Sequence, residues 1–410
     1  MKNDWKVKKL SDACLIKPPK SEARAQLSVS DSVSFVPMES LGINQKYFNA
    51  KQVRLLKEVE GNYTYFADGD VLLAKITPCF ENGKLGIARN LENGIGFGSS
   101  EYFVFRATKS LCNEYLYYFL SSGQFRGEGS RRMNGAVGHK RVEKEFVENY
   151  QIPLPPLPTQ QRIVAILDEA FTAISKAKEN AEKNLQNARE LFESYLQNVF
   201  ANPEQDWEEK KLGDITYIKS GYSFKSGEFS ANYPTKCIKI TNVGVGNFIE
   251  ESDQNLPQSF RDKYAKFSLN KGDIVIALTR SVISKGLKVA IVPDSYENSL
   301  LNQRVAAIRG IEHSSLTAFI YLFLRSKGVM NYVRKKANTL MQPNLSILDL
   351  INLRITIPPI VEQYSIVEKL DALSVETKKL EAIYQKKLAD LDKLKQSILQ
   401  KAFNGELTES

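Results

Sequence analysis

One stretch occurs twice, and it constrains the fold more than any other feature of the chain. The first copy, IPLPPLPTQQRIVAILD, runs from Ile152 to Asp168, and the second, ITIPPIVEQYSIVEKLD, from Ile355 to Asp371. Pro155 and Pro156 align with Pro358 and Pro359 at an offset of 203 residues. At that offset Gln160 meets Gln363, Ile163 meets Ile366 and Val164 meets Val367. The match needs no gap as far as Ser194, Leu196, Gln197 and Phe200 against Ser397, Leu399, Gln400 and Phe403. Two unbroken helices of equal length are the simplest source of such a match.

Paired prolines lack an N–H and clash with a preceding helical turn, so they form a stiff entry segment, with each helix starting a few residues later. Apolar residues then recur at steps of three and four. The first helix offers Ile163, Leu167, Ala170, Ile174, Ala177, Ala181, Ala188, Leu191 and Tyr195. The second offers Ile366, Leu370, Leu373, Leu380, Tyr384, Leu391, Leu394 and Ile398. This is the seam of a coiled coil. Small residues (Ala170, Ala177, Ala188) stand where the second helix has Leu373, Leu380 and Leu391, so the two seams suit each other better than themselves. The expectation is an antiparallel intramolecular pair, each helix about 60 Å long at 1.5 Å per residue.

The repeat continues outside the helices. Trp5, Lys9, Leu10 and Asp12 match Trp207, Lys211, Leu212 and Asp214. A strand-like run from Gly69-Asp70 to Ala74 matches Gly272-Asp273 to Ala277, with Gly83 and Gly286 as later turn residues. An aromatic helix, Tyr115 to Leu120, resembles Phe319 to Leu324. Between these islands short apolar runs are broken by Gly, Asn, Asp and Ser, an α+β pattern of short strands and long loops. The expected division is a variable domain over 1–152, a helix over 153–202, a second variable domain over 203–357 and a helix over 358–410. Gly405 should stop the last helix and leave a fraying tail.

At 410 residues with 42% hydrophobic content the chain can bury real cores. It has no run long and apolar enough for a membrane span and no signal-like start, which predicts a cytoplasmic location. Cys14, Cys79, Cys112 and Cys237 are scattered and read as reduced, mostly buried thiols. The formal charge is +9. Both helices are nearly balanced, so the basic excess sits in the variable domains and points to an acidic polymer as partner.

Each variable domain ends in a basic, loop-rich segment before its proline hinge. The first carries Arg131, Arg132, His139, Lys140 and Arg141; the second carries Arg334, Lys335, Lys336, Asn338, Gln342 and Asn344. Lys and Arg suit phosphate contacts, and Asn and Gln can read base edges. Further candidates for DNA contact are Lys75 and Thr77 after the first strand, and Thr279, Arg280 and Ser281 after its counterpart. Lys219, Tyr222, Phe224 and Lys225 form an aromatic-basic loop, and Gln303 and Arg304 precede another strand. An ordinary solvated surface is the competing reading for each group; recurrence in both halves weighs against it for the basic segments.

No Gly-rich loop with Lys-Ser/Thr of the ATP-binding type is present, nor a proline-paired tetrapeptide of the adenine N6-methyltransferase type. Two histidines, His139 and His313, cannot supply a histidine-rich metal site or a Ser/His/Asp set. No catalytic, cofactor-binding or metal-binding residue is assigned.

The two proline–glutamine hinges (Pro155, Pro156, Gln160; Pro358, Pro359, Gln363), the paired long helices and the repeated Trp-Lys-Lys-Leu/Gly-Asp islands together resemble the specificity subunit of type I restriction–modification systems, over essentially the whole chain. The resemblance implies an α+β fold with two target-recognition domains, each followed by a long helix, the helices forming an antiparallel coiled coil with pseudo-twofold symmetry. It implies a bipartite, asymmetric site on double-stranded DNA, read one domain per half-site. The hinges and helices would dock two methyltransferase (modification) subunits that bring S-adenosylmethionine, and restriction/translocase subunits would add ATP- and Mg-dependent translocation and cleavage. The first hinge departs from the family by having Thr159 before its glutamine where the second has Glu362. Two other readings remain open: the specificity subunit of a fused nuclease–methyltransferase system, and a coiled-coil DNA-binding scaffold or regulator.

Overall fold

The computed structural model describes residues 5–136, 138–250, 254–284, 286–337 and 344–408. It divides into two compact units, Met1–Glu182 with Gln385–Ser410, and Lys183–Tyr384. Each unit therefore holds one variable domain together with part of each long helix.

In the first unit the central sheet contains β1 (Cys14–Ile16), β2 (Val71–Ala74), β3 (Leu85–Ala88) and β4 (Tyr102–Ala107), in the order β1-β4-β2-β3, with Tyr47–Phe48 as a parallel edge strand beside β3. The run Val-Leu-Leu-Ala in β2 is buried along its whole length, as expected of a strand covered on both faces. The second unit repeats the arrangement with β5 (Thr216–Ser220), β6 (Ile274–Ala277), β7 (Val289–Ile291) and β8 (Val305–Gly310), in the order β5-β8-β6-β7. Gly69 and Gly272 enter β2 and β6 with φ of +85° and +83°, a conformation that admits glycine without the usual Cβ penalty.

Equivalent polar pairs support both sheets. Asp70, 1% exposed, accepts Nε and Nη2 of Arg106 at 2.8 and 2.7 Å and the N–H of Ala67 at 2.8 Å. Asp273, 3% exposed, accepts Arg309 Nε and the N–H of Asn270 at 2.9 Å. The Gly-Asp islands are thus structural anchors. The Trp-Lys-Lys-Leu islands are short strands, Lys6–Lys9 and Glu208–Lys211, paired antiparallel with the chain just before each hinge, Gln151–Leu154 and Arg354–Ile357. What differs between the units is the insertion. The first carries a second four-stranded sheet, ordered Gln52–Leu55, Ser32–Val36, Ile95–Gly98 and Thr64–Ala67.

Two short helices, α1 (Asn113–Ser121) and α2 (Gly123–Arg131), cover the first sheet, ahead of the long helix α3 (Leu157–Ala201). Their counterparts are α4 (Thr317–Leu324), α5 (Lys327–Ala337) and the second long helix α6 (Ile360–Asn404). Both long helices have 45 residues, about 68 Å at 1.5 Å per residue. They start directly after Pro156 and Pro359, slightly earlier than expected.

In the first unit Ile163 and Leu167 of α3 and Leu399 and Phe403 of α6 join one core with Phe105, Tyr115 and Phe119. In the second, Leu196, Ile366 and Leu370 join Ile276, Phe319 and Phe323. Each fully buried Leu or Phe contributes roughly 1.5–3 kcal/mol. In the first unit Lys395 Nζ lies over the Phe171 ring at 5.1 Å and Lys178 pairs with Asp392, so the two helix segments run antiparallel. In the second Arg189 pairs with Glu381 at 3.2 Å while Leu196 shares a core with Ile366 and Leu370, the same antiparallel sense.

The seam needs a correction. Leu191 and Tyr195 are 49% and 39% exposed, whereas Phe192 and Leu196 pack inward; Leu380 and Leu394 are likewise 37% and 47% exposed. A straight helix repeats every 3.6 residues, so a strict seven-residue count drifts off the buried face. Gly405, with φ of +84°, ends α6 as expected, but Leu407 packs on the first core, so the tail is held through that residue. All four cysteines are free thiols, two buried and two half-buried. Burial pushes the Cys14 and Cys237 thiols up to about 12.

Candidate nucleic-acid interface

Each hinge is a closed hydrogen-bond set. Gln160 Nε2 donates to the carbonyl oxygens of Ser110 and Pro155 at 2.9 and 2.8 Å, and its Oε1 accepts the N–H of Cys112 at 2.8 Å. Gln363 does the same with Ser314, Pro358 and Leu316 at 3.2, 2.9 and 2.9 Å. Both glutamines are fully buried. Their amides clamp the start of each long helix to its own variable domain, so these two side chains serve the hinge from within the fold. Pro156 and Pro359 are exposed, while Pro155 and Pro358 are buried.

Beyond the end of β2 the chain continues as Lys75–Thr77 and gains a new neighbour from the basic segment. Val142 donates its N–H to Lys75 O and Thr77 donates to Lys140 O, both at 2.9 Å, and Ile76 bridges Arg141. On the other side Lys75 N–H reaches Glu101 O at 2.9 Å. Lys75, Thr77, His139, Lys140 and Arg141 therefore gather at one end of the sheet.

Glu101, an acidic residue with no place in a pattern of basic side chains, sits among them. Arg141 Nε and Nη2 donate to its two carboxylate oxygens at 2.9 and 2.8 Å, and Arg141 Nη1 donates to His139 O at 3.1 Å. Lys75 Nζ lies 3.9 Å from the same carboxylate and donates to Ser100 O at 2.9 Å. The hydrogen bond from Arg141 holds the Glu101 carboxyl below the usual carboxylate range, and burial lowers the Lys75 ammonium. Thr77 Oγ1 donates to Glu81 at 2.9 Å.

The second unit builds the same edge from different side chains. Leu345 donates its N–H to Leu278 O at 2.7 Å, Leu278 donates to Arg304 O at 2.9 Å, and Thr279 bridges Asn344. These positions match Val142, Lys75, Glu101, Ile76 and Arg141 at the offset of 203. Tyr222 bridges Asn302 and accepts the N–H of Gln303 at 3.0 Å, which brings Tyr222, Gln303 and Arg304 to this end. Tyr222 packs against Tyr264 with ring centroids 4.5 Å apart. Arg280, Gln303, Arg304 and Asn344 are exposed.

Other candidates are placed elsewhere or used internally. Ser281 is fully buried and cannot reach DNA. Lys219 is half-buried, donates to Ser268 O and has its ammonium lowered by burial, so it braces a loop. Lys225 is exposed, on the aromatic loop with Phe224. Arg131 is exposed in the last turn of α2, and Arg132 lies over the Phe146 ring at 5.4 Å. Arg334, Lys335 and Lys336 end α5 and are exposed, with Lys336 Nζ 3.9 Å from Asp349. Asn338 and Gln342 lie outside the described residues.

The family model for the type I restriction modification DNA specificity domain matches residues 2–184 and 204–388. The chain is 26% identical over 458 residues to the EcoAI specificity subunit of Escherichia coli, covering 88% of this chain and 77% of that one. With the MjaVIII specificity subunit of Methanocaldococcus jannaschii it is 30% identical over 315 residues, covering 73% and 71%. Among solved structures, a chain from a study of complex assembly and conformational transition in the type I R-M system superposes with a TM-score of 0.77 at 20% identity, covering 98% of both chains. The HsdS subunit from Thermoanaerobacter tengcongensis gives 0.68 at 20% identity, covering 99% and 98%. At that identity the likeness is one of fold. The two matched stretches follow the two repeats and take in most of the sequence, so the chain belongs to the type I restriction–modification DNA specificity family, with one copy of the domain in each repeat.

Proposed function

We propose that the chain is the DNA-reading subunit of a type I restriction–modification complex, binding a bipartite asymmetric duplex site with one recognition domain per half-site and performing no catalysis itself. The observation that carries the reading is the pair of equivalent sheet ends, one bearing Lys75, Lys140 and Arg141, the other Arg280, Arg304 and Asn344. The two sets occupy matched backbone positions yet differ in side chain, which suits two half-sites of different sequence. Recognition domains of about 1–152 and 203–357 are the modules of this reading.

The partners are two methyltransferase subunits using S-adenosylmethionine and restriction subunits using ATP and Mg. Exposed apolar side chains on the long helices support assembly with other chains: Leu191, Val375 and Ile383 are 49%, 53% and 57% exposed. Adenine methylation requires the base to leave the stack, a task for the partner. Adenine-methylation sequencing of cells with and without the gene tests the reading. Loss of methylation at one bipartite motif is expected; an unchanged methylome contradicts it. A single copurifying chain bearing both nuclease and methyltransferase activity would assign the complex to the fused type.

A further inference from the structure

We propose that Arg141 and Asn344 are specificity-determining residues at one shared readout position, Arg141 taking a guanine in one half-site and Asn344 an adenine in the other. The inference rests on the DNA-recognition reading above. Both residues stand at the same bridge of the same extended edge, Ile76 to Arg141 and Thr279 to Asn344, and both are exposed. Their backbones are fixed by neighbouring ladder bonds, Val142 to Lys75 at 2.9 Å and Leu345 to Leu278 at 2.7 Å. A side chain that reads a base needs such a rigid mount, because misplacement forfeits the hydrogen bonds that discriminate.

The Arg141 guanidinium has five N–H groups. Glu101 takes those on Nε and Nη2, and His139 O takes one on Nη1. Two donors remain, one on each terminal nitrogen. A guanidinium that places two N–H groups in the groove matches the N7 and O6 acceptors of guanine, whereas adenine offers an acceptor beside a donor. Glu101 also cancels the charge of the guanidinium it holds. That weakens long-range attraction to phosphate while keeping the plane oriented, the opposite of what a phosphate contact requires. Glu101 is thus a positioning residue.

In the second unit Arg304 occupies the place of Glu101, with Leu278 donating to its carbonyl as Lys75 donates to that of Glu101, each at 2.9 Å. Asn344 is neutral and needs no carboxylate to balance it. A carboxamide presents one acceptor and one donor, the complement of the adenine edge.

The test sequences the DNA retained from a random duplex pool by the full-length protein, assembled with the chains that copurify with it. Arg141→Ala is expected to lower discrimination at one guanine by roughly 5- to 100-fold, leaving the other half-site intact. Arg141→Asn is expected to shift that position toward adenine. Asn344→Ala is expected to relax one adenine in the other half-site, and Glu101→Gln to give a smaller loss at the Arg141 position. The untouched half-site reports in the same experiment that each variant is folded. Unchanged motifs in the Arg141 and Asn344 variants, or a uniform loss of affinity with every base preference kept, would overturn the inference alone. A wild-type complex that enriches no motif would overturn the recognition reading and this inference together.

Discussion

The side-chain oxygen of Gln160 accepts the backbone N–H of Cys112 at 2.8 Å, tying the first turn of a 45-residue helix to the start of α1. Because Gln160 is fully buried, removing its amide leaves the Cys112 N–H and the buried Pro155 carbonyl without this partner, while the carbonyl of exposed Ser110 can turn to water. Gln160→Ala should destabilise the first unit by about 2–4 kcal/mol, summing partial losses of 1–3 kcal/mol per unsatisfied group. Hydrogen exchange should rise at Cys112 and along the first turn of α3. Native-like protection there would show that the hinge does not depend on this side chain.

The Asp70–Arg106 pair makes a second prediction. Arg106→Met leaves a buried carboxylate that still accepts the Ala67 N–H but has lost both guanidinium donors, at a cost of about 3–5 kcal/mol. Adding Asp70→Ala removes the stranded charge, so the double variant should be more stable than the single one. Urea unfolding of the two proteins checks this; a double variant no more stable than Arg106→Met would contradict it.

Much of this architecture is legible in the sequence because it repeats. The offset of 203 finds the helices, hinges and Gly-Asp turns, since each is fixed by local chemistry that both halves must share. It also aligns Arg106 with Arg309, a signal that would have found the partners of Asp70 and Asp273. The readout edge is less legible. It forms when Lys75–Thr77 meets Lys140–Val142, segments far apart in sequence, and Glu101 enters through a carboxylate that a search for basic residues ignores. Phe192 and Leu196 displaced Leu191 and Tyr195 from the seam because helical drift decides which side chain is buried, and residue type does not.

Arg126 tests the cost of a buried charge that lies over the Phe80 ring at 5.0 Å. It is 9% exposed, donates to Phe80 O at 2.8 Å, and its Nε and Nη2 have no hydrogen-bond partner among the described residues. Burial lowers its guanidinium to about 10, still charged at neutral pH. The second repeat has buried Val329 at the matching position, and Phe80 O already accepts the N–H of Gly83. Arg126→Met should therefore be neutral or stabilising by about 1–3 kcal/mol. A clear drop in melting temperature would contradict this.

Glu101 links the readout edge to pH. Its folded carboxyl titrates below the ordinary value of 4.5, chiefly through the Arg141 hydrogen bond. The pairing thus stabilises fully above 4.5 and is lost as pH falls through the lowered folded value. Glu101→Gln should melt below wild type at pH 7, with the gap closing as the solution is acidified past 4.5. A gap that persists unchanged at low pH would place the effect outside the ion pair.

Domain exchange tests the central claim most directly. Residues 203–357 are replaced by the corresponding domain of a relative with a known, different half-site, and the DNA retained from a random duplex pool by the assembled complex is sequenced. One half-site should change to that of the donor, while the other half-site and the spacing stay as in wild type. A change in both half-sites, or in neither, would contradict the assignment of one recognition domain to each half-site.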